Sequence, residues 1–360
     1  MKILSIAVPA YNVEKYIERC LSTFVDNKIL NELEVIVIND GSIDRTEDIV
    51  NKFVRLYPNT FKLITKENGG HGSAVNVGIK HATGKYFRVV DGDDWVDTKE
   101  LIKCINQLKE TDTDIVSMHY HRVDMSTGEI TAVEEKNIEY ERIYLFEELK
   151  IEDRYFTLAS TCFKTELLKY LDLKFQEKTY FVDVEYIIMP IINIRTIMFL
   201  DLYVYKYFVG NVEQSINIDN MVKRYKHHER VIKSCIEFIK LNEIEKIHKK
   251  YIYNILKKVI YTHYSILLIY NLDKEKGQSL ALEFDNYLKN SNLELYNDFY
   301  KEFRSMSRLR KYNFNYIKYD KAFVSRLIRR LERLKSLVKR YINVLKKIKR
   351  LFKYIIIRRI

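Results

Sequence analysis

Four short apolar runs, each stopping in polar turn-forming residues and most leading into helical periodicity, constrain this chain more than any other feature. Residues 3–8 stop at Pro9, Ala10, Tyr11 and Asn12; residues 33–38 stop at Asn39, Asp40, Gly41 and Ser42. Residues 61–65 lead into Asn68, Gly69, Gly70, His71, Gly72 and Ser73, and residues 86–90 stop at Asp91, Gly92, Asp93 and Asp94. Between the runs, Tyr16, Ile17, Cys20, Leu21 and Phe24, and then Ile49, Phe53 and Leu56, recur at helical spacing. Asp44 reads as the N-cap of the second helix, and Gly84 as the stop of a short third one. Asp97 opens a helix to about Glu110, and a further strand follows over residues 114–120. Strands alternating with helices predict an α/β fold with a mostly parallel central sheet covered on both faces. Asn12, Asp40, Asn68 and Asp91 then line one edge of that sheet, where open α/β sheets bind their ligands.

Three carboxylates within four residues at a strand end repel one another unless a positive group neutralises them. A divalent cation preferring oxygen ligands, Mg²⁺ or Mn²⁺, is the natural partner, and it would also carry substrate phosphates. Gly92 lets the backbone turn tightly between Asp91 and Asp93. The plainer reading is an acidic turn that caps the helix after Asp97.

The order and spacing of the four segments give the cluster its context. Pro9-Ala10-Tyr11-Asn12, then Asn39-Asp40-Gly41-Ser42 with Asp44 and Thr46, then Asn68-Gly69-Gly70 with Gly72, Ala74, Asn76 and Gly78, then Asp91-Gly92-Asp93-Asp94, resembles the family-2 glycosyltransferases of the GT-A fold over about residues 1–215. The resemblance implies a nucleotide-diphospho-sugar transferase whose donor is a UDP-sugar, held by Pro9, Ala10, Tyr11, Asn12, Asp40, Asn68, Asn76, Asp91 and Gly92. Asp40 would accept the uracil imide N–H. Asp91 and Asp93 would bind the metal, with Asp94 orienting them or facing the sugar. Asp183 matches the family's catalytic aspartate, with a valine, Val182, where an acid usually precedes it; Glu185 is the reserve base. A base there would deprotonate the acceptor hydroxyl in an inverting transfer. The plainer reading of Asp183 and Glu185 is that of acids at a helix start. One departure is Val75, where many members carry an arginine before the asparagine; Lys66, His71 or Lys80 are the cations that could stand in. The glycine-rich segment fails the dinucleotide-binding spacing and does not follow the first strand.

Residues 121–215 read as the acceptor side of the domain, with an aromatic strand over 203–209 and a covering loop over 210–215. His119 and His121 share a strand face, but nothing in the pattern places a third metal ligand beside them. Residues 216–320 turn helical, an α-helical appendage without chemistry of its own. The four cysteines are widely spaced, which argues against a zinc site or a disulfide framework and fits a reducing cytoplasm. The first apolar run is too short for a signal peptide, and no run of about 18 apolar residues is free of charge.

The formal charge of +12 is concentrated at one end. Residues 301–360 hold 21 Lys and Arg against Glu302, Asp320 and Glu332, a balance of +18, so the first 300 residues stand at −6. From Leu327 to Ile355 apolar residues step by four and three along one helical stripe, flanked almost wholly by bases. Two such helices would repel, and nucleic acid would leave the stripe uncovered. An anionic membrane surface satisfies both stripe and charge, predicting an amphipathic helix over 321–360 on the cytoplasmic leaflet. A surface-glycan or lipid-linked saccharide acceptor accords with that position. The weighed alternatives are a non-catalytic sugar-nucleotide-binding scaffold and a nucleotidyltransferase; the latter wants a phosphate loop where this chain has Pro9-Ala10-Tyr11-Asn12.

Overall fold

The computed structural model describes residues 1–149, 155–210 and 217–315. It divides into compact units at 1–271 and 272–360. The covering loop expected over 211–215 and the basic helix over 321–360 lie outside the described residues.

The first four strands are β1 (Leu4–Ala10), β2 (Leu33–Asn39), β3 (Phe61–Thr65) and β4 (Tyr86–Val89). They lie in the order β3-β2-β1-β4, all parallel. Every residue of β2 is buried, as an apolar strand covered on both faces requires. The connecting helices are α1 (Ile17–Ser22), α2 (Thr46–Leu56) and α3 (His71–His81). The chain winds from β1 out to β3, then returns to place β4 on the other side of β1. That reversal opens a crevice at the C-terminal ends of β1 and β4.

Beyond β4 the sheet is mixed, which corrects the expectation of a mostly parallel one. The remaining strands are β5 (Trp95–Val96), β6 (Ile115–Asp124), β7 (Ile130–Val133), β8 (Ile143–Leu145), β9 (Thr161–Lys164) and β10 (Thr196–Val209). β9 inserts antiparallel between β4 and β6, while β10 runs parallel to β6 and antiparallel to β5 and β8. Of these, β5, β7, β8 and β9 span only two to four residues, too few to show a period in sequence.

Three local expectations change in detail. Asp44 sits one residue before the N-cap Arg45, yet still accepts from Thr46 N (3.0 Å) and from Glu14 N (3.0 Å). α3 ends on extended Ala82, not on a left-handed glycine; Gly84 is needed because a Cβ there would lie 2.7 Å from Ser5 N. Asp97 does cap α4 (Thr98–Glu110), accepting from Lys99 N and Glu100 N.

The helices after residue 216 do not begin a separate body. α5 (Thr165–Tyr170) and α6 (Asp183–Ile188) precede them, then come α7 (Ile218–Lys223), α8 (Tyr225–Leu241) and α9 (Lys246–Ser265). Phe156 N donates to Tyr251 Oη (3.1 Å), Arg230 to Thr179 Oγ1 (3.0 Å), and His248 Nε2 pairs with the Ile194 carbonyl (2.7 Å). The compact unit therefore runs to residue 271, past the expected boundary at 215. The second unit packs α10 (Lys274–Ser291), α11 (Leu293–Glu302) and α12 (Arg304–Arg310) around Phe284, Leu288, Leu295 and Phe299. Its buried Asp285 accepts from Tyr300 Oη (2.5 Å) and Arg310 Nε (2.9 Å).

Candidate active site

The acidic turn is built against β1 and β10. Gly92 N donates to the Pro9 carbonyl (3.2 Å), and Asp94 N to the Asp91 carbonyl (2.9 Å). Gly92 has no left-handed φ; it is there for room, because a Cβ would lie 3.0 Å from Pro9 O. Asp91, Asp93 and Asp94 each bring an oxygen within 4.8 Å of the others, and no other such ligand group occurs among the described residues. Asp94 is buried and committed: it accepts from Tyr205 Oη (2.5 Å) and from Phe208 N (2.7 Å). Tyr205 Oη also accepts from Asp91 N (3.2 Å). The bonds from Tyr205 and Phe208 fix both oxygens of the Asp94 carboxylate.

Asp91 and Asp93 remain half-buried, each with an oxygen within 4.8 Å of the other and of Asp94. Burial, reinforced by Asp91, raises the Asp93 carboxyl from 3.8 to about 6. Burial and its two acidic neighbours push Asp94 well above the usual carboxylate range. Beneath the turn, Arg19 donates to the Asp93 carbonyl (3.1 Å) and lies 3.6 Å from the Trp95 ring centroid. Two hard oxygen donors beside a third, orienting carboxylate suit Mg²⁺ or Mn²⁺. The mutual repulsion recorded in the raised carboxyls is what such an ion would relieve.

Asp183, the first residue of α6, feels the charge of His71 and Asp91. One side of it is open to solvent, yet neighbouring walls desolvate its carboxyl and raise it; His71 works against that rise and Asp91 adds to it. His71 lies between the two acidic groups, its Nε2 2.8 Å from Asp91 Oδ1. Burial works against the charged imidazole, but Asp91, with Asp183 and Asp93 behind it, raises its pKa on balance. Beside Asp183 a cavity of about 50 Å³ is lined by Tyr155, Phe156, Leu158, Val184, Ile187 and Ile255.

Glu185 is not in the cleft, which corrects its place as reserve base. It is fully buried, and its two oxygens accept from Gln176 N (2.9 Å) and Gln176 Nε2 (2.7 Å). On a helix Asp183 and Glu185 point to different sides. Asn76 likewise faces the protein, exchanging both hydrogen bonds with the Phe175 backbone (2.9 and 3.0 Å).

The other donor-side residues gather at the strand ends and lace the loops together. Asn12, at φ 53°, accepts from Ile43 N (2.9 Å), and its own N donates to Ser42 Oγ (3.0 Å). Tyr11 is half-exposed beside buried Ala10. Asp40 is buried, and its carboxylate accepts from Lys66 Nζ (2.8 Å), Gly69 N (2.9 Å) and Gly70 N (2.7 Å). Asn68 Nδ2 donates to the Asp40 carbonyl (2.9 Å). Asp40 thus holds the glycine loop in place whatever else it contacts. His119 and His121 lie against Tyr203, His119 accepting from Glu135 N and His121 paired with Lys206, away from any metal group.

Sequence reasoning did not find Tyr205, Tyr207 or Arg19. Tyr207 lies within reach of the acidic groups' charge: burial and then Asp94, Asp91, Asp183 and Asp93 all raise its phenol. Their alternate spacing on β10 was a signal that 205 and 207 share a face, but not that the face is this one. Arg19 carries no local signal, since its partner lies 74 residues on.

The profile of Glycosyl transferase family 2 matches residues 5–168. That stretch, somewhat under half of the chain, is similar to this family. Among curated members, the uncharacterized glycosyltransferase EpsJ of Bacillus subtilis is 35% identical over 33% of this chain and 34% of its own length. The poly(ribitol-phosphate) beta-glucosyltransferase of Bacillus spizizenii is 38% identical over 32% of this chain and 18% of its own. The chain thus spans about a third of the length of the curated relatives it matches first. Among solved structures, S. aureus TarS 1–349 in complex with UDP-GlcNAc aligns with TM-score 0.60 at 21% identity, covering 85% of this chain and 92% of that one. The mannosyltransferase PcManGT of Pyrobaculum calidifontis, in complex with GDP-Man and Mn²⁺, aligns with TM-score 0.51 at 17% identity, covering 86% and 84%. The fold is GT-A, a mixed sheet followed by helices. The profile match ends before Asp183, so that residue stands on geometry.

Proposed function

We propose that this chain is an inverting glycosyltransferase that moves a sugar from a UDP-sugar to a saccharide or lipid-linked acceptor in cell-surface polysaccharide synthesis. What supports the reading is His71, which meets Asp91 at 2.8 Å and feels the charge of both Asp183 and Asp93. The relatives supply the class: a poly(ribitol-phosphate) glucosyltransferase, and a GT-A neighbour solved with UDP-GlcNAc. Asp91 and Asp93 would hold Mg²⁺ or Mn²⁺, which when bound supplies charge neutralisation for a departing diphosphate. Asp94, fixed by Tyr205 and Phe208, keeps those two carboxylates aimed at the cleft. Asp183 accepts the proton of the acceptor hydroxyl; its raised carboxyl makes it a stronger base than an ordinary aspartate. The small apolar cavity beside Asp183 is where an acceptor would enter. A base at Asp183 that deprotonates the acceptor hydroxyl for direct displacement of the diphosphate gives inversion.

Release of UDP from a panel of UDP-sugars, with and without Mn²⁺, tests the reading. Release that needs both an acceptor saccharide and Mn²⁺ supports it; UDP binding without turnover on any sugar identifies a scaffold. Full activity in EDTA removes the metal assignment.

Among the described residues no helix is long and apolar enough to cross a membrane. The basic stripe of 321–360 supports a peripheral place on the inner leaflet through anionic lipid. Co-sedimentation with phosphatidylglycerol vesicles at low salt, lost on deleting 321–360, is the expected result; equal binding by the truncated chain refutes it.

A further inference from the structure

The cleft is rich in acids, and a diphosphate entering it needs donors as well as a cation. Among the described residues, two basic side chains that touch the acidic loops, Arg19 and Lys66, are already committed. Arg19 lies under the turn on the Asp93 carbonyl and the Trp95 ring. Lys66 is held by Asp40 (2.8 Å) and the Glu67 carbonyl (2.5 Å). Lys80 is exposed in the last turn of α3, the opposite end from His71. Val75, one turn after His71, is buried and offers no donor.

His71 differs from all of these. It is the first residue of the eleven-residue α3, its side chain is 31% exposed, and it meets Asp91 through Nε2. An ionised carboxylate only accepts, so Nε2 carries the proton in this pair. Asp91 is also one of the two carboxylates placed to take a cation. A cation drawing on Asp91 competes with His71 for the same oxygens, so the N–H is left to find another acceptor. The ligand arriving with the cation brings such acceptors, and the N-terminal end of α3 favours their negative charge.

We propose that His71 is the diphosphate contact of this site: on donor binding its Nε2–H passes from Asp91 to an oxygen of the β-phosphate, leaving Asp91 to the cation. No covalent bond changes at His71; one hydrogen bond is exchanged for another. The assignment rests on the nucleotide-sugar reading above, and it gives Asp91 and the donor a shared switch. His71 thereby provides, from the first turn of α3, the donor that Val75 cannot.

Calorimetry on the full chain in Mn²⁺ tests this with UDP and UMP, which differ by the β-phosphate. Wild type is expected to favour UDP. His71→Ala should weaken UDP roughly tenfold or more while UMP stays within about twofold, because one hydrogen bond to a charged group is lost. His71→Gln, which keeps an N–H at similar reach, should recover most of the UDP affinity. Mn²⁺ alone should bind His71→Ala no more weakly than wild type. Unchanged UDP affinity in His71→Ala, or equal losses for UDP and UMP, overturns the assignment; a loss of Mn²⁺ binding without nucleotide makes His71 a metal ligand instead. The contact is independent of the base. A wild type that prefers GDP therefore refutes uracil recognition while the GDP and GMP pair still tests His71. A wild type that binds no nucleotide overturns the donor reading and His71 with it.

Discussion

Protons and metal compete for Asp93, and the competition can be measured. Its carboxyl is raised from 3.8 to about 6 by burial and by Asp91. At about pH 7.5 nearly every Asp93 is ionised, whereas at about pH 5 only roughly one in ten is. If Mn²⁺ requires the ionised form, its apparent Kd should rise roughly tenfold between those two conditions, about 1.4 kcal/mol. An aspartate titrating at its ordinary value would stay more than about nine-tenths ionised at pH 5, and the Kd would barely move. The imidazole of His71 is raised as well and would titrate in the same window, so the measurement belongs in His71→Gln. The loss of the free Mn²⁺ signal in electron paramagnetic resonance, without nucleotide, reads the Kd directly. The linkage has a second consequence of definite sign. Because the folded pKa lies above the unfolded one, metal-free protein loses the Asp93 contribution to stability as pH rises from about 4 to about 6. Mn²⁺ should therefore raise the melting temperature more at about pH 7.5 than at about pH 5. A Kd that changes less than about twofold would refute either the burial of Asp93 or its role as a ligand.

The two acids of α6 should part company. Asp183→Asn is expected to cut turnover by about 10²–10⁴ with UDP affinity little changed, since only the proton acceptor is removed. Glu185→Gln should instead lower the melting temperature by disturbing the Gln176 contacts, with turnover per folded molecule kept; the reverse pattern would show that the base is Glu185. Tyr205→Phe deletes the hydroxyl shared by Asp94 and Asp91 N. It should cost about 2–4 kcal/mol of stability and weaken Mn²⁺ binding together. A variant as stable as wild type in differential scanning calorimetry would mean that water replaces the hydroxyl.

The sequence by itself determined the parallel strand–helix alternation of the sheet's first half and which residues end its strands. An apolar run of strand length followed by helical periodicity fixes a parallel βαβ unit, because each face of the strand must be covered. That put Asn12, Asp40, Asn68 and Asp91 at neighbouring strand ends, and the pairing of β3, β2, β1 and β4 places them there. The acidic turn was legible for the same reason: its charge is written in four consecutive residues. What only the tertiary structure decided is which polar side chains are free. Asp94 is withdrawn by Tyr205, 111 residues away, and Asn76 by Phe175, 99 residues away; Glu185 is withdrawn by Gln176, across a turn that no periodicity marks. His71 becomes a cleft residue because α3 begins opposite Asp91, 20 residues on. Period and turn chemistry are local properties of a chain, so sequence carries them. A carboxylate's availability is set by which donors the fold brings to within about 3 Å of it, and those come from strands whose order no local pattern contains.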